Sequence, residues 1–316
     1  MRRIMERNCW DSSYIEPYLK DWLKYARESD EAEQQKIDNG DEFRIPYAGV
    51  QTEMISAIFS MASRFEIEPH AKYMAVHLLD RYLGLFFWEL IADSEITEST
   101  LRRARSEMFS QIKLVLVSCL QIASKVALFS TGLGIPMVRD ILQSVDPSRE
   151  YTRAIVFASE QRILKTLDFR IPYSLPIDAV QLFLAYSELP VTPELRETCL
   201  VLLDVAYLRH NEIFAELHLL ARGKPYDRSH KDSRDFLKYE VNAGFIAAAV
   251  VVCSNFFFYL KKNVVMGCAA KLAALIDMSA VDVQIMANIL FTNVIDKDDF
   301  KDMQAKIQHF QLKQKS

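Results

Sequence analysis

Helical periodicity is the strongest constraint on the fold of this chain. Between residues 49 and 294, apolar positions recur three and four residues apart, and strand-like alternation is rare. The pattern predicts helices at 49–65, 69–87, 98–128, 135–143, 149–167, 176–187, 193–209, 236–260, 264–276 and 279–294. Five helices in each half of this region indicate an all-α protein with two similar units in tandem.

Proline and glycine mark the boundaries between these helices. Pro69 begins the second helix, the segment TGLGIP at 131–136 interrupts the chain before the fourth, and Pro172 and Pro176 separate the halves. We therefore predict four parts: an N-terminal helix and polar linker at 1–47, a first unit at 48–172, a second unit at 173–296 and a tail at 297–316.

Three polar stretches are predicted to lie outside the helical cores. In the N-terminal part, a helix is expected at 14–27, and the polar run at 28–42 is expected to be a linker. The stretches at 87–100 and 222–235 lengthen connections inside the two units, and we expect both to be surface excursions.

Composition places the chain among packed soluble proteins. Half of its 316 residues are hydrophobic, a quarter are charged, and eight are glycine. The net charge of −4 provides no general attraction to nucleic acid or to anionic lipid. The cysteines are scattered and mostly lie in apolar runs, which is typical of buried thiols in a reducing, intracellular compartment: Cys9, Cys119, Cys199, Cys253 and Cys268.

The most apolar run, at 243–260, is 18 residues long and could therefore span a membrane. Asn242 and Asn255 flank or interrupt it, and a helix buried at the centre of a domain is also apolar on all sides. We predict a buried helix. Secretion is not expected, because charged residues interrupt any apolar signal core near the start: Arg2, Arg3, Glu6 and Arg7.

Two charged residues lie at the rims of apolar helical stripes. Lys125 ends the segment LVSCLQIASK, and Glu160 follows 35 residues later in ASEQRILKTLDF. Val156, Ile163, Leu164 and Leu167 share a helical face, so Glu160 projects from the packed side. A charge there needs a partner. The pattern favours either an intramolecular ion pair between two helices or a charged pair that binds another protein.

These segments resemble the cyclin family. AVHLLDRYL at 75–83 is similar to the second helix of a cyclin box, and LKTLDFRIPYSLPIDAVQLFL at 164–184 is similar to the join between two boxes. The resemblance covers residues 48–294. It implies two tandem cyclin-box folds of about five helices each, preceded by an N-terminal helix.

The resemblance also implies a partner and a binding site. In cyclins, a lysine in an ASK-type segment and a glutamate on the fifth helix of the first box bind backbone groups of a cyclin-dependent kinase, and Lys125 and Glu160 match these positions. Leu128, Phe129 and Ile155 are expected to add apolar contacts, although each could equally be ordinary core. A cyclin supplies no catalytic atom, so neither an enzyme nor a cofactor is expected.

A narrower resemblance concerns LVSCLQIASKV at 116–126 together with CLVLLDVAYLRHNEIF at 199–214, which are similar to a group of meiotic cyclin-like factors. It implies a role in meiotic recombination that promotes crossover maturation, with recombination proteins as further partners. It also implies a nuclear, chromosome-associated location, with which an additional cytoplasmic pool is compatible. The alternative is a kinase-independent scaffold that keeps the cyclin fold and assembles recombination or clamp-loader proteins.

The chain departs from the cyclin pattern at two places. Cyclins pair the aspartate of the LLDRYL segment, here Asp80, with an arginine that this chain replaces by Gln51. We therefore expect Asp80 to bond locally. Substrate-recruiting cyclins carry a methionine, a leucine and a tryptophan where this chain has Val50, Met54 and Ala57, so these three are expected to be core.

Two further clusters are weak candidates for binding sites. Residues two and six apart in HNEIFAELH point to different helix faces, so no metal site is expected from His210, Glu212, Glu216 and His218. The basic run LRRAR at 101–105 is expected to be a solvated helical face. Contact with phosphates is the alternative, but no aromatic residue interleaves the run, so direct nucleic-acid binding is not expected.

Overall fold

The computed structural model describes residues 12–39, 47, 49–92, 96–127, 132–171, 174–187, 190–228, 230, 233–259 and 262–295. In these ranges the chain forms α-helices and no strand, which confirms the predicted all-α class. The helices are α1 (Ser12–Asn39), α2 (Thr52–Arg64), α3 (Pro69–Ile91), α4 (Glu98–Ser110), α5 (Ile112–Val126), α6 (Ile135–Val145), α7 (Arg153–Thr166), α8 (Pro176–Tyr186), α9 (Pro193–Leu208), α10 (His210–Arg222), α11 (Arg234–Val241), α12 (Ala243–Tyr259), α13 (Lys262–Leu275) and α14 (Ala280–Val294).

Two of the predicted helices are each divided in the structure. The segment at 98–128 forms α4 and α5, which meet at Gln111, and the segment at 236–260 forms α11 and α12, which meet at Asn242. Helix α10 lies where no helix was predicted. The divisions were missed because apolar residues continue through each break, so the periodicity alone does not mark it.

Helix α1 is longer than predicted, because the polar run after residue 27 continues as helix to Asn39. The predicted linker is wrong over that stretch. Glu, Gln, Lys and Ala are good helix formers, and tertiary bonds hold the helix. The Arg27 guanidinium donates to the carbonyl of Leu275 at 2.6 Å, and the Asp30 carboxylate accepts from the backbone N–H groups of Ala243 and Gly244 at 3.3 Å each.

The chain folds into two compact units. The middle unit comprises residues 39–175, and the terminal unit comprises residues 1–38 and 176–316. Helices α2 to α7 therefore belong to the middle unit, and α1 belongs to the terminal unit with α8 to α14. The sequence did not indicate this grouping of the two chain ends.

Helix α5 lies at the centre of the middle unit. Every residue from Leu114 to Ser124 is buried, and α3, α6 and α7 pack around it. A helix that is buried on all sides must be apolar on all sides, which explains why its sequence lacks charges between Lys113 and Lys125. The next residue, Lys125, is exposed, so the end of α5 carries a charge to the surface of the unit.

Helix α12 has the same position in the terminal unit. Its residues from Phe245 to Asn255 are buried, and α8, α9, α13 and α14 pack around it. The run at 243–260 was predicted to be a buried helix, and this is confirmed up to Asn255, whereas Phe258 near its end is exposed. Taken singly, none of the described helices has the length and apolar character needed to cross a membrane. Three bent pairs of consecutive helices have the required length and composition when each pair is counted as one segment.

The four described cysteines are buried and free: Cys119, Cys199, Cys253 and Cys268. Burial raises the pKa of each thiol, to about 11 at Cys199 and about 12 at Cys253. The thiolate is the reactive form of cysteine, so these side chains act as small apolar core residues. Cys9 lies outside the described residues.

The stretch at 222–235 is anchored to the core of the terminal unit. The Glu240 side chain is fully buried, and it receives hydrogen bonds from the Tyr226 hydroxyl and from Arg228, whose Nη2 lies 2.8 Å from its Oε2. Burial raises the pKa of Tyr226, and the adjacent Glu240 carboxylate raises it further. Most described residues of the stretch are exposed, as expected for a surface excursion, and Tyr226 and Arg228 are half-buried. The polar sequence did not reveal their buried partner.

Candidate functional site

Lys125 and Glu160 meet at the edge of the middle unit. Lys125 lies in the last turn of α5, Glu160 lies on α7, and the Lys125 Nζ is 2.5 Å from the Glu160 Oε1. The lysine side chain is 42% exposed and that of the glutamate 13%. The predicted convergence of these two residues is confirmed, and the pair is accessible from outside.

The register between α5 and α7 determines where the two charges meet. The Ser118 and Ser159 hydroxyls form a hydrogen bond of 2.8 Å between the two helices, one residue before Glu160. Val156 and Ile163 are fully buried, as the apolar spacing on α7 predicted. With that face of α7 directed inward, Glu160 lies at its rim.

The ion pair leaves bonding capacity for a partner. An ammonium group has three donors and a carboxylate accepts several hydrogen bonds, whereas the contact between Lys125 and Glu160 uses one donor and one oxygen. The Lys125 side chain is 42% exposed, so water already competes for its ammonium group and an incoming main chain can do the same. The arrangement suits recognition of backbone carbonyl and N–H groups.

The segment after residue 131 lies against Lys125. A Cβ atom at Gly132 would be 3.2 Å from the Lys125 Cα and 3.0 Å from its Cγ. The backbone N–H of Leu133 donates to the Ser124 hydroxyl at 2.9 Å, and that hydroxyl donates to the Gln121 carbonyl at 2.8 Å. The sequence marked this segment only as a break, and the glycines in TGLG were the available signal of a close approach.

The apolar contacts predicted for the site are only partly described. Ile155 is 40% exposed in the first turn of α7, where its N–H donates to the Thr152 hydroxyl at the N-cap. Leu128 and Phe129 lie outside the described residues. Two exposed apolar side chains were missed: Val126, next to Lys125, and Phe157, three residues before Glu160 on the same side of α7.

Comparison with known proteins assigns the region around the ion pair to a known domain family. Residues 21–172 match the family model of the cyclin N-terminal domain. This chain carries a cyclin N-terminal domain. Cyclin N-terminal domain-containing protein 1 of Mus musculus is 26% identical over 246 residues, 74% of this chain and 71% of the relative. The protein of the same name from Homo sapiens is 24% identical over 245 residues, 74% of this chain and 72% of the relative.

The cyclin domain contains the whole Lys125 and Glu160 site. Its matched span begins at residue 21, inside α1, whereas we predicted a start at residue 48. Homology extends past the cyclin domain, because the two relatives align with about three quarters of the chain. The chain is therefore a cyclin-like protein.

Asp80 of the cyclin domain bonds to a residue 33 positions earlier in the chain, whereas a local bond was expected. Its buried carboxylate accepts a hydrogen bond of 2.9 Å from the backbone N–H of Tyr47. Gln51, which stands in place of the arginine, occupies the N-cap position of α2 and makes no side-chain capping bond. The aspartate therefore holds the chain that enters α2.

The residues aligned with the substrate-recruiting patch of cyclins are largely packed inside the cyclin domain. Val50 and Met54 are buried, as expected for core, and Ala57 is half-buried. The surface consequently lacks the large apolar anchor that a tryptophan would provide at position 57.

His210 and His218 of HNEIFAELH each contact a residue that is bonded to the buried Glu240. His210 contacts Arg228 at 3.2 Å, and His218 stacks on Tyr226. Glu212 pairs with Arg209. Across the described ranges, no group of three or more histidine, cysteine, aspartate or glutamate side chains is arranged to hold a metal ion.

The basic run lies on the solvent side of α4. Arg102 pairs with Glu98 at 2.7 Å, and both side chains are highly exposed. Arg103 and Arg105 are also exposed. The run thus forms a solvated basic face.

Proposed function

We propose that this cyclin-like protein is a regulatory subunit that binds a cyclin-dependent kinase through Lys125, Glu160 and the exposed apolar side chains beside them. The observation that carries the proposal is the outward-facing ion pair between α5 and α7 inside a cyclin domain. Val126, Ile155 and Phe157 supply exposed apolar area on the same two helices.

In the proposed complex, the Lys125 ammonium donates to kinase carbonyl groups and the Glu160 carboxylate accepts from kinase N–H groups. Such contacts depend little on the partner's side chains. The docked protein presses the mobile helix of the kinase inward, so that the lysine on a kinase strand and the glutamate on that helix can pair and hold ATP. The chain itself supplies no catalytic group.

We further propose that the protein acts in meiotic recombination, promotes crossover maturation, and works in the nucleus on chromosomes. The similarity of residues 116–126 and 199–214 to meiotic cyclin-like factors supports this assignment. We also propose that α8 to α14 form a second, cyclin-like box. Recombination proteins are the additional partners that this role requires.

The test is binding of the full chain to a panel of purified cyclin-dependent kinases, measured by calorimetry and by phosphorylation of a standard substrate. Changing Lys125 and Glu160 together to alanine is expected to lower affinity about 100-fold, because charged hydrogen bonds to the kinase are lost. Lys113→Ala is the matched control. Its Nζ lies 3.2 Å from the Asp146 Oδ1, and its side chain is 51% exposed.

A charge exchange separates docking from internal stabilisation. The double variant Lys125→Glu, Glu160→Lys keeps an ion pair between α5 and α7 but interchanges donor and acceptor. We expect it to melt near the wild-type temperature and to bind the kinase as weakly as the double alanine variant. Wild-type binding by both double variants would contradict kinase docking at this site and would leave the kinase-independent scaffold.

A further inference from the structure

We propose that Ser106, on the solvent side of α4, is a phosphorylation site for a basophilic serine/threonine kinase. Helix α4 carries a basic face that the proposed kinase-docking site does not use. The inference is independent of that docking site, since α4 precedes α5 and bears neither Lys125 nor Glu160.

The sequence around Ser106 has the charge pattern that a basophilic kinase selects. Arg102, Arg103 and Arg105 stand four, three and one residues before it, and Leu101 stands five residues before it. Kinases discriminate between substrates largely by such charge patterns. Three arginines within four residues are a strong local excess of positive charge in a chain whose net charge is −4.

The hydroxyl of Ser106 is available to react. Three serines share the outward face of α4. The Ser99 hydroxyl bonds to the Thr97 hydroxyl at 2.8 Å, and the Ser110 hydroxyl donates to the Glu107 carbonyl at 2.7 Å. Ser106 is exposed, and its hydroxyl makes no hydrogen bond with any part of the chain that the structure describes.

Helix α4 can open locally to enter a kinase cleft. It has 13 residues, of which only Ala104 and Met108 are buried, and its main packing neighbour is α3. Gln111 separates it from the buried helix α5. Short helices with a small buried face open at a lower free energy than the core of their unit. An extended substrate segment around Ser106 is therefore accessible without unfolding the middle unit.

The reaction is an ordinary phosphoryl transfer from ATP. The Ser106 Oγ forms a bond to the γ-phosphorus, the bond from that phosphorus to the β,γ-bridging oxygen breaks, ADP leaves, and the kinase's catalytic aspartate accepts the hydroxyl proton. The product carries about −1.5 to −2 charge at neutral pH. In the refolded helix, the phosphate lies one turn from Arg102 and Arg103, within reach of their guanidinium groups.

Phosphorylation reverses the sign of this face. The charged side chains on the outer side of α4 are Glu98, Arg102, Arg103, Arg105 and Glu107, which carry a small net positive charge. The added phosphate changes the net charge of the face from positive to negative, to about −0.5 to −1. It also competes with Glu98 for Arg102, whose guanidinium now lies 2.7 Å from the Glu98 carboxylate. An acidic partner attracted by the unmodified face is repelled by the modified one.

The test uses the full chain, MgATP and the catalytic domain of a calcium/calmodulin-dependent kinase, with the phosphate located by peptide mass spectrometry. We expect Ser106 to be the main acceptor, Ser106→Ala to remove the signal, and Arg103→Ala to lower the initial rate at least tenfold. Ser110→Ala is the matched control and should react at the wild-type rate. No phosphate at Ser106, or preferential modification of Ser99 or Ser110, would overturn the proposal.

A second measurement tests the contact with the arginines. The phosphorus resonance of the modified wild type is expected to titrate at lower pH than that of modified Arg102→Ala, because a nearby guanidinium favours the doubly charged phosphate. Equal titration midpoints would reject the intrahelical contact. Ser106 is exposed, so circular dichroism should show its alanine variant to be folded like the wild type.

Discussion

At the scale of single residues, the close approach of Gly132 to Lys125 makes the proposed docking site sensitive to one methyl group. A Cβ at 3.2 Å from the Lys125 Cα must displace the end of α5 by a few tenths of an ångström. We predict that Gly132→Ala weakens kinase binding about tenfold, because a small misplacement lowers the strength of directional hydrogen bonds. Calorimetry against the kinase that is sensitive to Lys125→Ala measures the effect.

Gly134→Ala provides the control, since its Cβ would meet only the Pro136 Cδ at an ordinary 3.6 Å. Equal affinities of the two glycine variants would refute the positioning role of Gly132 without affecting the role proposed for Lys125. If Lys125→Ala itself bound the kinase with wild-type affinity, the proposed docking site would be refuted.

Gln121 is a buried polar residue at the centre of the middle unit. It is fully buried, and neither polar atom of its side chain has a hydrogen-bond partner among the described residues. Replacement by methionine, of similar shape and helix propensity, removes an unsatisfied polar group. We predict that Gln121→Met raises the free energy of unfolding by about 1–3 kcal/mol in urea denaturation. The control Gln161→Met, at an exposed position, should change the free energy of unfolding by less than about 0.5 kcal/mol. If Gln121→Met were instead destabilised, the result would mean that the Gln121 amide binds buried water.

These residues show what the sequence could reveal of the site. The meeting of Lys125 and Glu160 was predictable because each stands at the rim of a helical stripe whose burial follows from periodicity. The contact of Gly132 with Lys125 was not, because it depends on how a segment after a break folds back. The unsatisfied Gln121 was also beyond prediction, since a glutamine between apolar neighbours has the same sequence pattern whether or not it finds a partner.

At the scale of helices, Asp30 links α1 to the start of α12 in a pH-dependent way. Burial raises the pKa of Asp30 to about 6 from its ordinary value of 3.8, although hydrogen bonds from Gly244 and Ala243 act in the opposite direction. A raised folded-state pKa means that the native protein binds a proton more tightly than the unfolded chain. The stability contributed by Asp30 is therefore complete below about pH 3.8 and is lost as the pH rises through about 6.

We predict that the free energy of unfolding of the wild type, relative to Asp30→Asn, falls by about 1–3 kcal/mol between pH 4 and pH 7. Urea denaturation at a series of pH values measures this difference. Asp21→Asn, at an exposed position on the same helix, should show no comparable trend. A constant difference between the wild type and Asp30→Asn would contradict the raised pKa.

The helices themselves were mostly predictable, and their breaks were not. Asn242 illustrates the reason. Its side-chain oxygen accepts a hydrogen bond of 2.7 Å from the N–H of Phe245, so Asn242 caps the start of α12. Asparagine is a favoured N-cap, but the apolar residues on both sides favoured one continuous helix. At the other break, Gln111 makes no side-chain capping bond to α5, and glutamine is not a favoured N-cap, so the residue does not mark the start of a helix.

At the scale of the whole molecule, each unit has its own buried central helix. A substitution in one unit should therefore change local opening in that unit and not in the other. Arg27 donates to the carbonyls of Ala274 and Leu275 at the end of α13. We predict that Arg27→Ala speeds amide hydrogen exchange in α13 and leaves α5 unchanged, because unsatisfied C-terminal carbonyls fray a helix. Lys24→Ala, whose ion partner Glu28 is on α1 itself, is the control. Faster exchange in α5 would show that the two units do not respond separately.

The terminal unit contains both ends of the described chain, and this has a consequence for biosynthesis. Arg27 leaves the ribosome early, but its partner Leu275 follows 248 residues later. Domains generally fold as units during translation. The middle unit can therefore complete its core while α1 is still without its partners, and the terminal unit closes only when the last helices have emerged.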